Sequence, residues 1–146
     1  FTVYGPYGRP DMLILKLLSL IKRKKTIKIY DHGKQLRDFT YIDDVVNIIF
    51  LLSKKIDKNF QILNICGSNP IKINDIILLV QNILKKKIKL QYKNKIKSEM
   101  KIKFNNKKRL IKYIKYKRFT DIKNGLNETI KWFKEFKNKK LLIKIK

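Results

Sequence analysis

The sequence predicts a mixed α/β fold, a small mixed sheet with flanking helices. Three features predict it. Short strand-like apolar runs alternate with stretches whose apolar residues recur at helical spacing, turn residues separate the two kinds, and 44% of the 146 residues are hydrophobic, enough for one core.

Taken in order, Phe1 to Tyr4 reads as the end of a strand. It runs into a loop of Gly5, Pro6, Tyr7, Gly8, Arg9 and Pro10, of the kind that carries binding groups on a fixed scaffold. Asp11 is expected to start a helix in which Leu13, Leu17, Leu20 and Ile21 recur up to the basic stop at Lys22 to Lys25. Thr26 to Tyr30 is strand-like, and Asp31, His32, Gly33 and Lys34 form a turn. Phe39 and Tyr41 alternate with Asp38 and Thr40, which suits a short strand with one apolar face. Asp43 and Asp44 lead into Val45, Val46, Ile48, Ile49, Leu51 and Leu52, a carboxylate-capped helix start.

Phe60 to Ile65, bounded by Asn59 and by Gly67-Ser68-Asn69-Pro70, reads as a buried strand, with a parallel crossover as the natural topology. Ile76, Ile77, Val80, Ile83 and Leu84 make a helical stripe, stopped by Lys85 to Lys87 near the negative end of the helix dipole. Ile88 to Leu90 is expected to be a short strand and residues 93–103 a loop. A short helix carries Leu110, Ile111 and Tyr113. Thr120 or Asp121 caps a last helix with Ile122, Leu126, Ile130, Phe133 and Phe136 on one face. The expected division is a body of residues 1–137 and a basic tail of residues 138–146.

The formal net charge is +26, carried by 37 basic residues against 11 acidic ones. It is unevenly spread: residues 85–146 hold 24 Lys and Arg against four acids, a net of +20. Clustered cations attract polyanions, and Tyr92, Phe104, Tyr113, Tyr116 and Phe119 make base stacking conceivable in a small nucleic-acid-binding module. Yet 32 of the cations are lysine, mixed with abundant Ile and Asn, a bias that needs no ligand, so no specific nucleic acid is expected. One cysteine, Cys66, allows no internal disulfide, and the lone His32 has no second His or Cys for a metal site. A reducing, cytoplasmic setting is the expectation. No apolar run approaches the ~20 residues that span a bilayer.

Chemistry concentrates at Arg37 to Asp44. Arg37 follows the 31–34 turn, where its planar fork is placed to grip a phosphate or, alternatively, to pair with Asp38, Asp43 or Asp44. There is no G-x-G-x-x-G or G-x-x-x-x-G-K-[ST] turn, and a single His and Cys support no nucleophilic triad. Tyr-x-x-x-Lys occurs at Tyr30/Lys34 and Tyr113/Lys117, but seven Tyr and 32 Lys in 146 residues produce about 1.5 such spacings by chance. Neither is taken as a catalytic pair. Beginning at Phe1 rather than Met, the chain is expected to be a piece of a longer protein.

Phe1-Thr2-Val3-Tyr4-Gly5-Pro6, Gly8-Arg9-Pro10-Asp11-Met12 and Arg37 to Asp44 together resemble the C-terminal half of an extended short-chain dehydrogenase/reductase, of the NAD-dependent epimerase/dehydratase type. The Gly-Arg-Pro-Asp-Met stretch and the Tyr30 to Lys34 turn most resemble UDP-glucuronate 4-epimerases. The resemblance is strong to about residue 70 and followable through Tyr116, Gly125 and Trp132 to Phe133.

It implies an extended Rossmann-type fold whose NAD-binding half, with the Gly-rich turn and the catalytic Ser or Thr and Tyr-x-x-x-Lys, lies upstream of Phe1. No catalytic residue is then expected in this chain. The implied cofactor is NAD, held mainly by the missing half; the implied substrate is a UDP-sugar, and the intact relative is expected to be a homodimer. The substrate-binding residues implied are Thr2 toward the sugar carboxylate, Arg9 closing over the nucleotide sugar, Tyr30 against uracil, Arg37 at the diphosphate and Glu99 at the ribose. Asp43 and Asp44 are expected to cap the following helix rather than touch substrate. Ile96-Lys97-Ser98-Glu99 departs from the Gln-x-Gly-Asp of many relatives. In the intact relative, the upstream Tyr takes the proton of the sugar 4-hydroxyl while NAD takes the hydride, and the ketone turns over before reduction on its other face.

Overall fold

The structure, a computed structural model, describes residues 2–55, 60, 62–94, 102–103, 107–116 and 118–138. Its elements run β1 (Thr2–Tyr4), α1 (Leu13–Lys22), β2 (Ile27–Tyr30), a 3-10 turn (Asp31–Gly33), β3 (Leu36–Tyr41), α2 (Ile42–Ser53), β4 (Pro70–Lys72), α3 (Ile73–Leu84), β5 (Leu90–Lys93), β6 (Ile102–Lys103), α4 (Lys108–Ile114) and α5 (Ile122–Asn138). The alternation read from the sequence is therefore real, and the fold is α/β with two small sheets.

β3 is the hub. It pairs in parallel with β1 on one edge, with Thr2 opposite Phe39 and Tyr4 opposite Tyr41. Its first half pairs antiparallel with β4 and in parallel with β6, which makes this sheet mixed. β2 and β5 form a second, parallel pair, Ile27 opposite Leu90 and Tyr30 opposite Lys93. The core between sheets and helices holds Leu17 of α1, Ile48 of α2, Ile76 and Ile77 of α3, Leu110 of α4 and Leu126 of α5, each almost wholly buried. A fully buried side chain of this kind contributes roughly 1.5–3 kcal/mol.

Several local expectations are corrected. β3 has the expected apolar face in Phe39 and Tyr41, but its polar face is buried too: Asp38 and Thr40 lie under the 67–69 turn rather than in solvent. The Asp38 carboxylate accepts the Ser68 backbone N–H at 2.9 Å, and Thr40 Oγ1 accepts that of Gly67 at 3.1 Å. Gly67 is needed here, since a Cβ would stand 2.8 Å from the Phe39 carbonyl oxygen.

Asp11 does not cap α1; the helix starts at Leu13 with Met12 in the cap position and no side-chain cap bond. Nor do Asp43 and Asp44 cap α2, whose cap position is Tyr41. Both sit inside its first turn, where Asp43 still favours the positive end of the dipole. Asp44, 4% exposed, instead accepts hydrogen bonds from Tyr116 Oη (2.9 Å), Thr120 N (2.8 Å) and Thr120 Oγ1 (3.1 Å), tying α2 to the chain between α4 and α5. Asp121, one of the two residues expected to cap α5, accepts the Lys123 N–H at 2.9 Å.

The expected buried strand over Phe60 to Ile65 is absent among the described residues of that segment, and Phe60 and Ile62 are 88% and 64% exposed. An extended segment becomes a strand only when a neighbour takes its backbone hydrogen bonds. The strand expected at Ile88 to Leu90 lies two residues later, as β5. Ile96 to Glu99, Phe104, Lys117 and residues 139–146 lie outside the described residues. Among the described residues, no helix is long and apolar enough to cross a membrane.

Candidate functional site

Strand alternation places β3 side chains on two sides. Asp38 and Thr40 turn toward the 67–69 turn, while Gln35, Arg37 and Phe39 face the other way. That second side opens on a cavity of about 660 Å³, within the range of small-molecule sites. Thr2 of β1 and Tyr30 at the end of β2 join Arg37 in its wall, and the start of α1 supplies Asp11, Met12 and Lys16. Three of the five residues implied by the resemblance, Thr2, Tyr30 and Arg37, thus meet at one cavity.

Arg37 is half-buried, and its Nη1 donates to the Leu36 carbonyl at 2.9 Å, which orients the guanidinium along the wall. Two of the acids considered as its partners are engaged elsewhere, Asp38 by the 67–69 turn and Asp44 by Tyr116 and Thr120. Lys16 and Lys28 also line the cavity, against one carboxylate, Asp11, which faces Arg9. The field of the wall is therefore positive and suits an anionic ligand.

Arg9 is held differently. Its Nε and Nη2 donate to Asp11 Oδ1 and Oδ2 at 3.1 and 2.6 Å, a bidentate pair at an exposed position. The bond to Asp11 raises the Arg9 pKa, and the bond to Arg9 holds the Asp11 carboxyl below its ordinary value. An arginine between Gly8 and Pro10 thus has a structural partner two residues on. Asp11 lies in the cavity wall, so Arg9 is one side chain removed from it. Glu99 lies outside the described residues.

Sequence reasoning missed Gln35, Lys16 and Lys28. Gln35 had a usable signal, since it stands two residues before Arg37 and so shares its face of the strand. The lysines had none, being alike along the chain. Tyr30 ends a strand and is followed by the 3-10 turn, so Tyr30 and Lys34 share no helical face. His32 stacks on Tyr92 with ring centroids 5.5 Å apart. Among the described residues, no three His, Cys, Asp or Glu gather as a metal site.

A larger cleft, about 720 Å³, lies elsewhere, between the ends of α1 and α3 and the side of α5, with an apolar floor and a rim of lysines. It contains none of the residues implied by the resemblance.

Residues 1–66 match the model of the NAD dependent epimerase/dehydratase family. The chain is 39% identical over 136 residues to a UDP-glucuronate 4-epimerase of Thermodesulfobacterium geofontis, an alignment covering 92% of this chain and 42% of that protein. It is 30% identical to UDP-glucuronate 4-epimerase 4 of Arabidopsis thaliana, covering 91% of this chain and 34% of the relative. Among solved structures, the Bacillus cereus UDP-glucuronic acid 4-epimerase in complex with UDP-glucuronic acid and NAD superposes with a TM-score of 0.85 at 28% identity, over 93% of this chain and 44% of that one. MoeE5 in complex with UDP-glucuronic acid and NAD gives 0.87 at 27%, over 93% and 46%. The chain spans less than half the length of these relatives. Residues 1–66 thus carry the match to the NAD dependent epimerase/dehydratase family, and the likeness to the UDP-glucuronate 4-epimerases named above runs over nine-tenths of this chain.

Proposed function

We propose that this chain is the nucleotide-sugar-binding part of an NAD-dependent UDP-sugar 4-epimerase that interconverts UDP-glucuronate and UDP-galacturonate. The observation that carries the reading is the meeting of Thr2, Tyr30 and Arg37 at one positively lined cavity. Arg37 suits the diphosphate, because its fork presents paired donors to two oxygens. Tyr30, 38% exposed at the strand end, offers a ring to uracil, and such stacking contributes ~1–3 kcal/mol per base. The Thr2 hydroxyl is assigned to the uronate carboxylate and Glu99 to the ribose hydroxyls. Arg9 closes over the sugar by exchanging Asp11 for the ligand, an exchange made easy because that pair is exposed and held cheaply.

NAD would supply the reversible hydride step. The residues present do not form a cradle for its pyrophosphate: the chain has no G-x-G-x-x-G turn, and the positive wall described above suits the substrate. NAD is therefore assigned to sequence outside this chain, together with the proton-transferring tyrosine. This chain contributes by fixing the sugar ring relative to both, an orientation effect on rate.

The test has two steps. Calorimetric titration of the chain with UDP and UDP-glucuronate reads the binding site. The chain is then joined to an N-terminal half carrying the Gly-rich turn and the Tyr-Lys pair, and UDP-glucuronate is assayed for conversion to UDP-galacturonate. Conversion of a different UDP-sugar, with none of the uronate, would overturn the substrate assignment.

A further inference from the structure

The cleft of about 720 Å³ between the ends of α1 and α3 shares no lining residue with the cavity that holds Arg37. Its floor is apolar: Leu18 and Ile21 of α1, Leu84 and Ile88 at and after the end of α3, Ile130 and Phe133 of α5. Leu18 and Ile130 are each 3% exposed, and the other four are half-buried. The rim carries Lys22, Lys24 and Lys25 at the end of α1, Lys86, Lys87 and Lys89 after α3, and Lys134 of α5, all exposed, with no acidic residue among the lining side chains. Among the described residues, none of these seven ammonium groups enters an ion pair. The lysine bias of the chain does not account for the rim, since seven of the 13 lining residues are lysine against 32 of 146 overall. Nor do the helix dipoles, whose field falls off within the last turn: five of the seven stand two to five positions past the last residue of α1 or α3. The rim is also fixed in place. The Lys25 N–H donates to the Leu20 carbonyl at 3.0 Å and the Lys86 N–H to the Gln81 carbonyl at 3.1 Å, while the Ile27 N–H donates to the Lys89 carbonyl at 2.9 Å and so joins the two basic stretches.

We propose that this cleft binds a free, single-chain anionic amphiphile, an alkyl tail with a carboxylate or phosphate head. The tail covers the apolar floor, and the head relieves the mutual repulsion of the lysine rim. The volume lies within the range of small-molecule sites, and a preformed rim leaves little ordering cost to binding. Charge and shape together choose this occupant. A bilayer is met by apolar side chains that project into its acyl boundary, whereas these six line a concavity. A helix with its side chains is about 10–12 Å across, so the cleft would hold less than two turns of a peptide helix. A nucleic acid would find phosphate contacts, but the floor offers its bases a single aromatic ring, Phe133. The inference stands apart from the UDP-sugar reading, because the two sites have no residue in common.

The test titrates the whole chain by calorimetry with dodecyl phosphate and with dodecanoate, each below its micelle concentration and at physiological salt. Dodecyl phosphate, dodecanoate or both should bind 1:1, and shortening the tail from twelve carbons to ten and then eight should weaken binding roughly tenfold per two methylenes. Inorganic phosphate and dodecyltrimethylammonium should bind at least tenfold more weakly than dodecyl phosphate. The double variant Lys24→Glu/Lys87→Glu, at exposed positions on the two sides of the rim, should weaken the amphiphile at least tenfold without lowering the thermal unfolding midpoint. Lys24→Arg/Lys87→Arg should keep the binding, and UDP titration should be the same in all three chains. Inorganic phosphate binding as tightly as dodecyl phosphate would reduce the rim to bare lysine attraction and overturn the proposal. So would affinity independent of tail length, or binding that the Glu double variant leaves intact. Binding to phosphatidylglycerol vesicles with none of the monomeric amphiphile would assign the cleft to a membrane surface instead, and tighter, variant-sensitive binding of an oligouridine would assign it to a nucleic acid.

Discussion

Arg37 and Asp38 are neighbours with opposite duties, and strand alternation is the reason. Arg37 faces the cavity; Asp38, fully buried, holds the 67–69 turn. Replacing Arg37 by Ala should weaken UDP binding by about 2–3 kcal/mol, and Arg37→Lys should recover less than half of that, because an ammonium keeps the charge but not the fork. Titration calorimetry measures both. Gly125 is required for space alone: a Cβ there would meet Tyr4 Oη at 2.1 Å and Tyr41 Cδ2 at 2.9 Å. Gly125→Ala should therefore cost about 1–3 kcal/mol in chemical denaturation, the range of overpacking in a tight core, despite alanine's better helix propensity.

Asp44 joins elements rather than serving one. Its carboxylate links α2 to Tyr116 and Thr120, so Asp44→Ala removes three hydrogen bonds, those donated by two hydroxyls and a backbone N–H, and should destabilise by about 2–4 kcal/mol. The same contact gives the fold an alkaline limit. Burial, and then the hydrogen bond to Asp44, push the Tyr116 phenol up to about 12. Unfolded, it ionises near 10. The unfolded chain then binds fewer protons above that value, so this contribution is intact below pH 10 and is lost as pH rises from about 10 to 12. Tyr4 and Tyr41, raised chiefly by burial, act in the same direction. Tyr116→Phe should flatten the alkaline limb of a stability–pH curve, and a curve of unchanged slope would show that the phenol does not set it.

The whole molecule carries its cations largely unpaired by sign, 37 against 11. Self-repulsion of that size opposes compaction, so the melting temperature should rise between 50 and 500 mM NaCl, as the Debye length falls. Polyanion binding should fall over the same range. Four of the five aromatics that made a nucleic-acid module conceivable have partners within the fold, Phe104 lying outside the described residues: Tyr92 stacks on His32, Tyr116 packs edge-on to Phe119, and Lys55 lies over the Tyr113 ring at 4.4 Å.

Periodicity together with turn residues and helix start and stop signals placed α1, α2, α3, α4 and α5 and the strands β1, β2 and β3, because these are local properties of successive side chains. The resemblance named Thr2, Tyr30 and Arg37, but their meeting at one cavity depends on β1 pairing beside β3 and on the position of β2, which no local pattern encodes. The carboxylates misled for the same reason. Spacing put Asp11, Asp43 and Asp44 at helix starts, whereas Arg9, Tyr116 and Thr120 decide where Asp11 and Asp44 bond. Phe60 to Ile65 marks the boundary most sharply: its composition determined a strand's preference, and only a neighbouring strand, which the described residues do not provide, turns that preference into a ladder.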